Sequence, residues 1–320
     1  MKLAEMFTPY PDRLWKLARQ VGVTHAVAKL PYDEQGVKPW EFTYLLHMKT
    51  RFEDYGFQLE VIEPAPTNNK IKLGLPGRDE EIEIMKELIT NMGALNIPVL
   101  CYNFMAQFGW FRTSTTTVSR GGALVSSYDH SIMLNAPLTE AGIVTEEQMW
   151  EHFAYFLERI VPVAEKAKVK LALHPDDPPI SPVRGIARIF RNAEALQRAI
   201  DMVPSEYNGI TLCQGNMAAA GEDIPALIRR FSKQNKLFFS HFRDIRGTAA
   251  KFEEAFHDDG ITDMFAAMKT YVEVGFNGPL RPDHVPTMEG EGNDKPGYET
   301  VGRLFAVGYI KGLLEGAQKS

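Results

Sequence analysis

Val169-Lys170-Leu171-Ala172-Leu173-His174-Pro175-Asp176-Asp177-Pro178-Pro179 runs from a short apolar stretch straight into a turn of prolines and acids, with His174 at the junction. Val169 to Leu173 has the length and composition of a buried strand, and the prolines behind it forbid continuation. The same arrangement recurs downstream. Cys213 follows the run Gly209 to Leu212, His241 follows Leu237 to Ser240, and Asp283 follows Pro279 to Pro282. Four strand ends, each followed by a side chain able to bind metal, decide the reading of the whole chain.

Working outward, further apolar runs occur at Val23 to Leu30, Phe57 to Ile62 and Ile97 to Tyr102, with a short, irregular one at Phe252 to Phe256. Counted with the other four, these give eight strands, the 252–256 run being the seventh. Between them lie amphipathic segments: Trp40 to Tyr55, Arg78 to Ala94, and Thr145 to Lys166 with Thr145 as N-cap. A last helix runs from about Tyr298 to Leu314. Strand and helix alternating eight times predict an α/β fold of parallel strands closed into a (β/α)8 TIM barrel. An open doubly wound sheet is the rival, but neither nucleotide-binding glycine signature is present. One catalytic domain over 1–320 is expected, with 107–137, rich in Ser, Thr and Gly, as a loop or lid insertion.

Net charge is −6 with both signs interspersed, which argues against nucleic acid or an anionic membrane as partner. No run of about 18 apolar residues is present to span a bilayer. Two cysteines, Cys101 and Cys213, are too few for a disulfide framework in 320 residues. A reduced, cytoplasmic homo-oligomer acting on a small molecule is expected.

In a barrel, the C-terminal ends of the strands converge on one mouth, where active sites lie. His174, Cys213, His241 and Asp283 therefore meet there as candidate ligands of one divalent ion. Singly, a cysteine after a strand is a small apolar filler and a histidine a hydrogen-bonded loop residue. Their common position on four strands favours a site. The mixed N, S and O donors suit Mn²⁺, Zn²⁺, Co²⁺ or Ni²⁺ better than Mg²⁺ or Ca²⁺. Arg243, two residues beyond His241, is placed either to fork onto a substrate carboxylate or to pair with Asp244 or another acid. Cys101 reads as core. Asp177 reads as a structural acid of the turn, Asp176 stays open, and His25, His47 and His152 receive no role. His257 and His130 are further candidates for the mouth.

These residues carry a resemblance. Leu73-Gly74-Leu75-Pro76-Gly77-Arg78, Cys101-Tyr102-Asn103-Phe104-Met105, the His174 to Pro179 turn, Leu212-Cys213, Arg281-Pro282-Asp283-His284 and Pro296-Gly297-Tyr298 are similar to stretches of the metal-dependent D-mannonate dehydratases with a xylose-isomerase-like barrel. The resemblance spans about residue 57 to the C-terminus. It implies an ion, Mn²⁺ first and Fe²⁺ also admitted, on His174, Cys213, His241 and Asp283. It further implies catalytic parts for His284 and Tyr298, a sugar-acid substrate held by Arg243, and conversion of D-mannonate to 2-keto-3-deoxy-D-gluconate; Asn103 and His257 are further expected substrate contacts. The chain departs from the family pattern at Gln214-Gly215-Asn216, at Val285-Pro286-Thr287-Met288 and in its short 107–137 stretch. A metal-dependent sugar isomerase or epimerase of the same barrel type and a silent sugar-acid-binding protein are the alternative readings.

Overall fold

Alternate side chains of a parallel strand face opposite ways, so a strand buried on both sides is largely apolar on both, and these runs mostly are, with buried exceptions such as Glu60, Thr211 and Arg281. In the computed structural model, which describes residues 1–32, 34–66 and 68–320, seven of these runs and the segment Lys2–Phe7 ahead of them form β1 (Lys2–Phe7), β2 (His25–Ala28), β3 (Gln58–Ile62), β4 (Val99–Tyr102), β7 (Lys170–Leu173), β8 (Asn208–Cys213), β9 (Leu237–Phe242) and β12 (Pro279–Pro282). All pair in parallel and close into one barrel, in the order β1-β12-β9-β8-β7-β4-β3-β2. Four further strands, β5 (Ser114–Val118), β6 (Leu124–Asp129), β10 (Ile245–Thr248) and β11 (Lys251–Glu254), form a separate antiparallel sheet ordered β10-β11-β6-β5.

The barrel stands as expected, but two strands need correction. The first barrel strand is Lys2–Phe7, ahead of the run at 23–30. Its acid, Glu5, interrupts the apolar signal; the fold buries it 3.6 Å from Arg303 on the helix Thr300–Lys319. The segment 252–256 supplies no barrel strand. Its residues 252–254, with Lys251 ahead of them, form β11, which pairs antiparallel with β10 and β6, and the charged residues there suit a half-covered ribbon.

Local chemistry explains the helices. Thr145 accepts from the Gln148 amide, Gln148 answers to the Thr145 amide, and this reciprocal cap opens Glu146–Ala167. Asp79, Glu80 and Glu81 in the first turn of Arg78–Ala94 complement the positive end of its dipole. Both helices pack apolar faces on the barrel, and Trp15 stacks on Phe52 at 4.2 Å beside β1.

The second sheet grows from loops after β4 and β9, so it stands at the C-terminal end of the barrel. Leu124 exchanges two backbone hydrogen bonds with Thr287 from the loop after β12. Three loops are thereby tied together around the mouth.

Candidate active site at the barrel mouth

Inside the barrel, the period of two determines what reaches the mouth. Ala172, Thr211, Phe239 and Arg281 point inward; two residues on from each come His174, Cys213, His241 and Asp283. Register completes the placement, with Cys213 opposite His241 on β8 and β9, and His241 opposite Arg281 on β9 and β12. His174 Nε2 lies 3.2 Å from His241 Nδ1, and Asp283 Oδ2 lies 3.4 Å from the same nitrogen. One ligand atom each from His174, Cys213 and His241 falls within 4.8 Å of the others.

These separations fit a shared ion: donors at about 2.0–2.3 Å from one small cation lie about 3–4 Å apart. Charge fits as well. Burial raises the Cys213 thiol, yet Arg243 and His174 outweigh it and bring the pKa down to about 6, so thiolate is available at neutral pH. Burial and Arg281 oppose a charge on His241, but Glu63 and Asp283 hold its pKa well above the ordinary value. A cation at Nδ1, on the Asp283 side, would take the place of a proton there. Gly215 is required here, because a Cβ at that position would sit 2.4 Å from Arg243 Nε.

Around this cluster lies a buried set of ion pairs. Arg112 forks onto Asp177 at 2.5 and 2.9 Å and reaches Glu254 Oε1 at 2.5 Å. Arg243 contacts Asp177 at 3.2 Å, Asn216 Oδ1 at 2.7 Å and Asp283 at 3.6 Å. His284 Nδ1 lies 2.9 Å from Glu254 Oε1, 2.5 Å from Arg243 and 3.1 Å from Arg112. His284 takes a left-handed φ of 43°, a strained conformation for a side-chain-bearing residue. Tyr298 Oη donates to Asp283 Oδ1 at 3.0 Å, and its ring meets that of His284 edge-on at 5.4 Å. Burial first, then the Asp283 charge, pushes the Tyr298 phenol well above its usual range. Trp110, partly exposed, covers His284 with ring centres 4.8 Å apart.

The other sequence candidates divide. Arg243 pairs with Asp177, Glu254 and Asp283, whereas Asp244 accepts from Ile245 and Thr262. His257 is fully buried, and burial pushes its pKa down to about 4, so it is neutral. Asn103 Oδ1 accepts from the buried Lys72 ammonium at 3.2 Å and from the Met105 amide at 3.1 Å. Asp176 is buried and accepts from the Phe190 amide. His130 bonds Tyr128 Oη at 2.8 Å and lines a groove with Met133, Leu138 and Arg184 rather than joining the cluster. Asp258 and Asp259 pair with Arg120 and Arg246 near the surface.

Sequence reasoning missed Glu63, Arg112, Glu254 and Arg281 as site residues. Glu63 carried a signal, since it too follows a barrel strand directly. Arg112 and Glu254 carried none, because 142 residues separate partners that only the second sheet brings together.

The profile of the D-mannonate dehydratase (UxuA) family matches residues 13–141 and 138–320. A mannonate dehydratase of Thermotoga neapolitana is 37% identical over 333 residues, covering 93% of this chain and 91% of that one. The crystal structure of mannonate dehydratase from Streptococcus suis serotype2 superposes with a TM-score of 0.93 at 33% identity, covering 100% of this chain and 94% of that one. A D-psicose 3-epimerase of Clostridium cellulolyticum H10, at 13% identity and a TM-score of 0.60 over 100% and 97% of the two chains, shares the fold alone.

Proposed function

We propose that this chain, which belongs to the D-mannonate dehydratase family, removes water from D-mannonate to give 2-keto-3-deoxy-D-gluconate. The observation that carries the reading is the convergence of His174, Cys213, His241 and Asp283 with His284 and Tyr298 directly beside them.

His174, Cys213, His241 and Asp283 would hold one divalent ion; Mn²⁺ is the proposed metal, and the N, S and O donor set also accepts Zn²⁺, Co²⁺, Ni²⁺ or Fe²⁺. When bound, that ion supplies Lewis-acid stabilisation to the substrate carboxylate as its neighbouring carbon loses a proton.

The remaining chemistry falls to the chain. A proton α to a carboxylate is a very weak acid, so negative charge must be matched as it develops. Arg243 and Arg112 bring fixed positive charge to a buried site, where it acts strongly. Dehydration then needs one group to take the C2 proton and another to give a proton to the departing C3 hydroxyl. His284 and Tyr298 are the proposed pair. Glu254 and two guanidiniums hold the His284 ring from its Nδ1 side, leaving Nε2 for proton transfer. His257, kept neutral by burial, and Asn103 are proposed to contact substrate hydroxyls, and Trp110 walls the open side of the pair.

The test is incubation with D-mannonate and Mn²⁺, followed by an α-keto-acid assay. Keto acid is expected; an epimerised aldonate with no keto acid would overturn the reading. Tyr298→Phe should cut turnover at least about 100-fold, the scale of positioned acid–base catalysis, while Mn²⁺ stays bound. Exchange of the C2 hydrogen with solvent deuterium in that variant would mark Tyr298 as the acid, and loss of exchange would mark it as the base. Unchanged turnover removes Tyr298 from the mechanism.

A further inference from the structure

Two groups of potential ligand atoms share His241. One comprises His174, Cys213 and His241; the other comprises Glu63, Cys101 and His241, deeper in the barrel. The imidazole has one nitrogen for each: Nδ1 faces His174 and Asp283, and Nε2 faces Glu63 Oε1 at 3.0 Å.

The deeper group is a poor cation site. Arg281 already grips both Glu63 oxygens, Nε to Oε2 at 2.9 Å and Nη2 to Oε1 at 3.0 Å. A divalent ion there would lie against a buried guanidinium. Cys101 Sγ shares a hydrogen bond with Thr211 Oγ1 at 3.3 Å and packs in the apolar interior with Val99 and Ala172.

From these contacts we infer that Glu63 is a positioning residue, which fixes His241 with its proton on Nε2 and its Nδ1 lone pair turned to the metal position. A neutral imidazole carries one proton, so a ring that offers Nδ1 to a cation must keep the proton on Nε2. Glu63 is the buried anion facing that nitrogen. The contact is close but not collinear, so the carboxylate charge faces the Nε2–H dipole without forming a straight hydrogen bond. His174 has the complementary arrangement: its Nδ1 lies 2.6 Å from the Pro175 carbonyl, which leaves Nε2 toward His241. One ring is anchored by backbone of its own loop and the other by the side chain directly after β3. Arg281 joins the two carboxylates, since its Nη1 also donates to Asp283 Oδ1 at 2.8 Å. The guanidinium thus holds a ligand and the anchor of another ligand in one rigid unit. Partners of this kind orient metal-binding histidines and typically account for about 10–100-fold in affinity.

This inference rests on the metal reading above, and the experiment separates the two. Metal-free chain is titrated calorimetrically with Mn²⁺, and Co²⁺ is added in parallel to follow the thiolate-to-cobalt absorption that reports Cys213. The native chain should bind one ion. Glu63→Gln and Glu63→Asp should each bind one ion about 10–100-fold more weakly, with the thiolate band still present at saturating Co²⁺. Asp keeps a charge for Arg281 but draws the carboxylate back from the ring, so its loss reports positioning rather than charge alone. Its melting temperature without metal shows that the fold is intact. Cys101→Ser should bind as the native chain does. Native affinity in both Glu63 variants would overturn the inference. So would two ions per native chain falling to one in Cys101→Ser, since the deeper group would then itself be a metal site. A native chain that takes up no ion would instead remove the metal reading.

Discussion

Low in the barrel, Ala4, Val27, Val61, Val99 and Ala172 fill the interior with small apolar side chains. One inward step along several of the same strands, the interior holds Glu63, His174, Cys213, His241, Arg281 and Asp283. The strands do not change; the solvent's role does. The apolar layer gains from leaving water and needs no partner. The upper layer loses hydration on every charge and stands only because each acid has a buried cation beside it. Arg281 sits between Glu63 and Asp283, and Arg112 between Asp177 and Glu254. The lower layer thus contributes cohesion, whereas the upper is a set of fixed charges whose removal in part is costly.

The sharpest way to break this contrast is to remove a proposed ligand. His174→Ala or Asp283→Ala should abolish Mn²⁺ binding and lower turnover at least about 100-fold, since even outer partners of a metal act on that scale. Metal content by elemental analysis and keto-acid formation check both, and activity without metal would end the argument. Next comes Arg112→Met, which strands Asp177 and Glu254 as buried acids. It should cost about 3–5 kcal/mol in urea unfolding, and a neutral result would mean that water already reaches that layer. Val27→Ala tests the layer below. Loss of two methyl-sized groups should cost about 2 kcal/mol and leave Mn²⁺ content unchanged.

The smallest effect concerns Lys72, a buried cation on the flank of the mouth. Burial first, then repulsion from Arg188, pushes its pKa from 10.5 down to about 7. Between those values the unfolded chain holds a proton that the folded chain lacks, so this residue's contribution makes stability rise with pH across the window. The slope is at most about 1.4 kcal/mol per pH unit. Lys72→Met should abolish that part of the rise between pH 7 and 10 in unfolding titrations. Identical slopes in the two proteins would show that Lys72 stays hydrated.

How much of this was legible in the sequence depends on the kind of residue. His174, Cys213, His241 and Asp283 were readable because strand ends and chain order put them in equivalent places. Glu63 occupied an equivalent place, but Pro64 made it look like a mere stop. Residues 2–7 give no clear apolar signal because Glu5 breaks the run, and its partner Arg303 lies almost the whole chain away.

By itself the sequence determined the alternation of strand and helix, the barrel and the residue types that end at its mouth, because burial periodicity and strand termination are local properties. Tertiary structure alone decided that β1 closes the ring, that 251–254 joins 114–129 in a second sheet, and that Arg112, Glu254 and Glu63 brace the site. Charge pairing across a fold acts through distance in space, and a linear chain records no such distance.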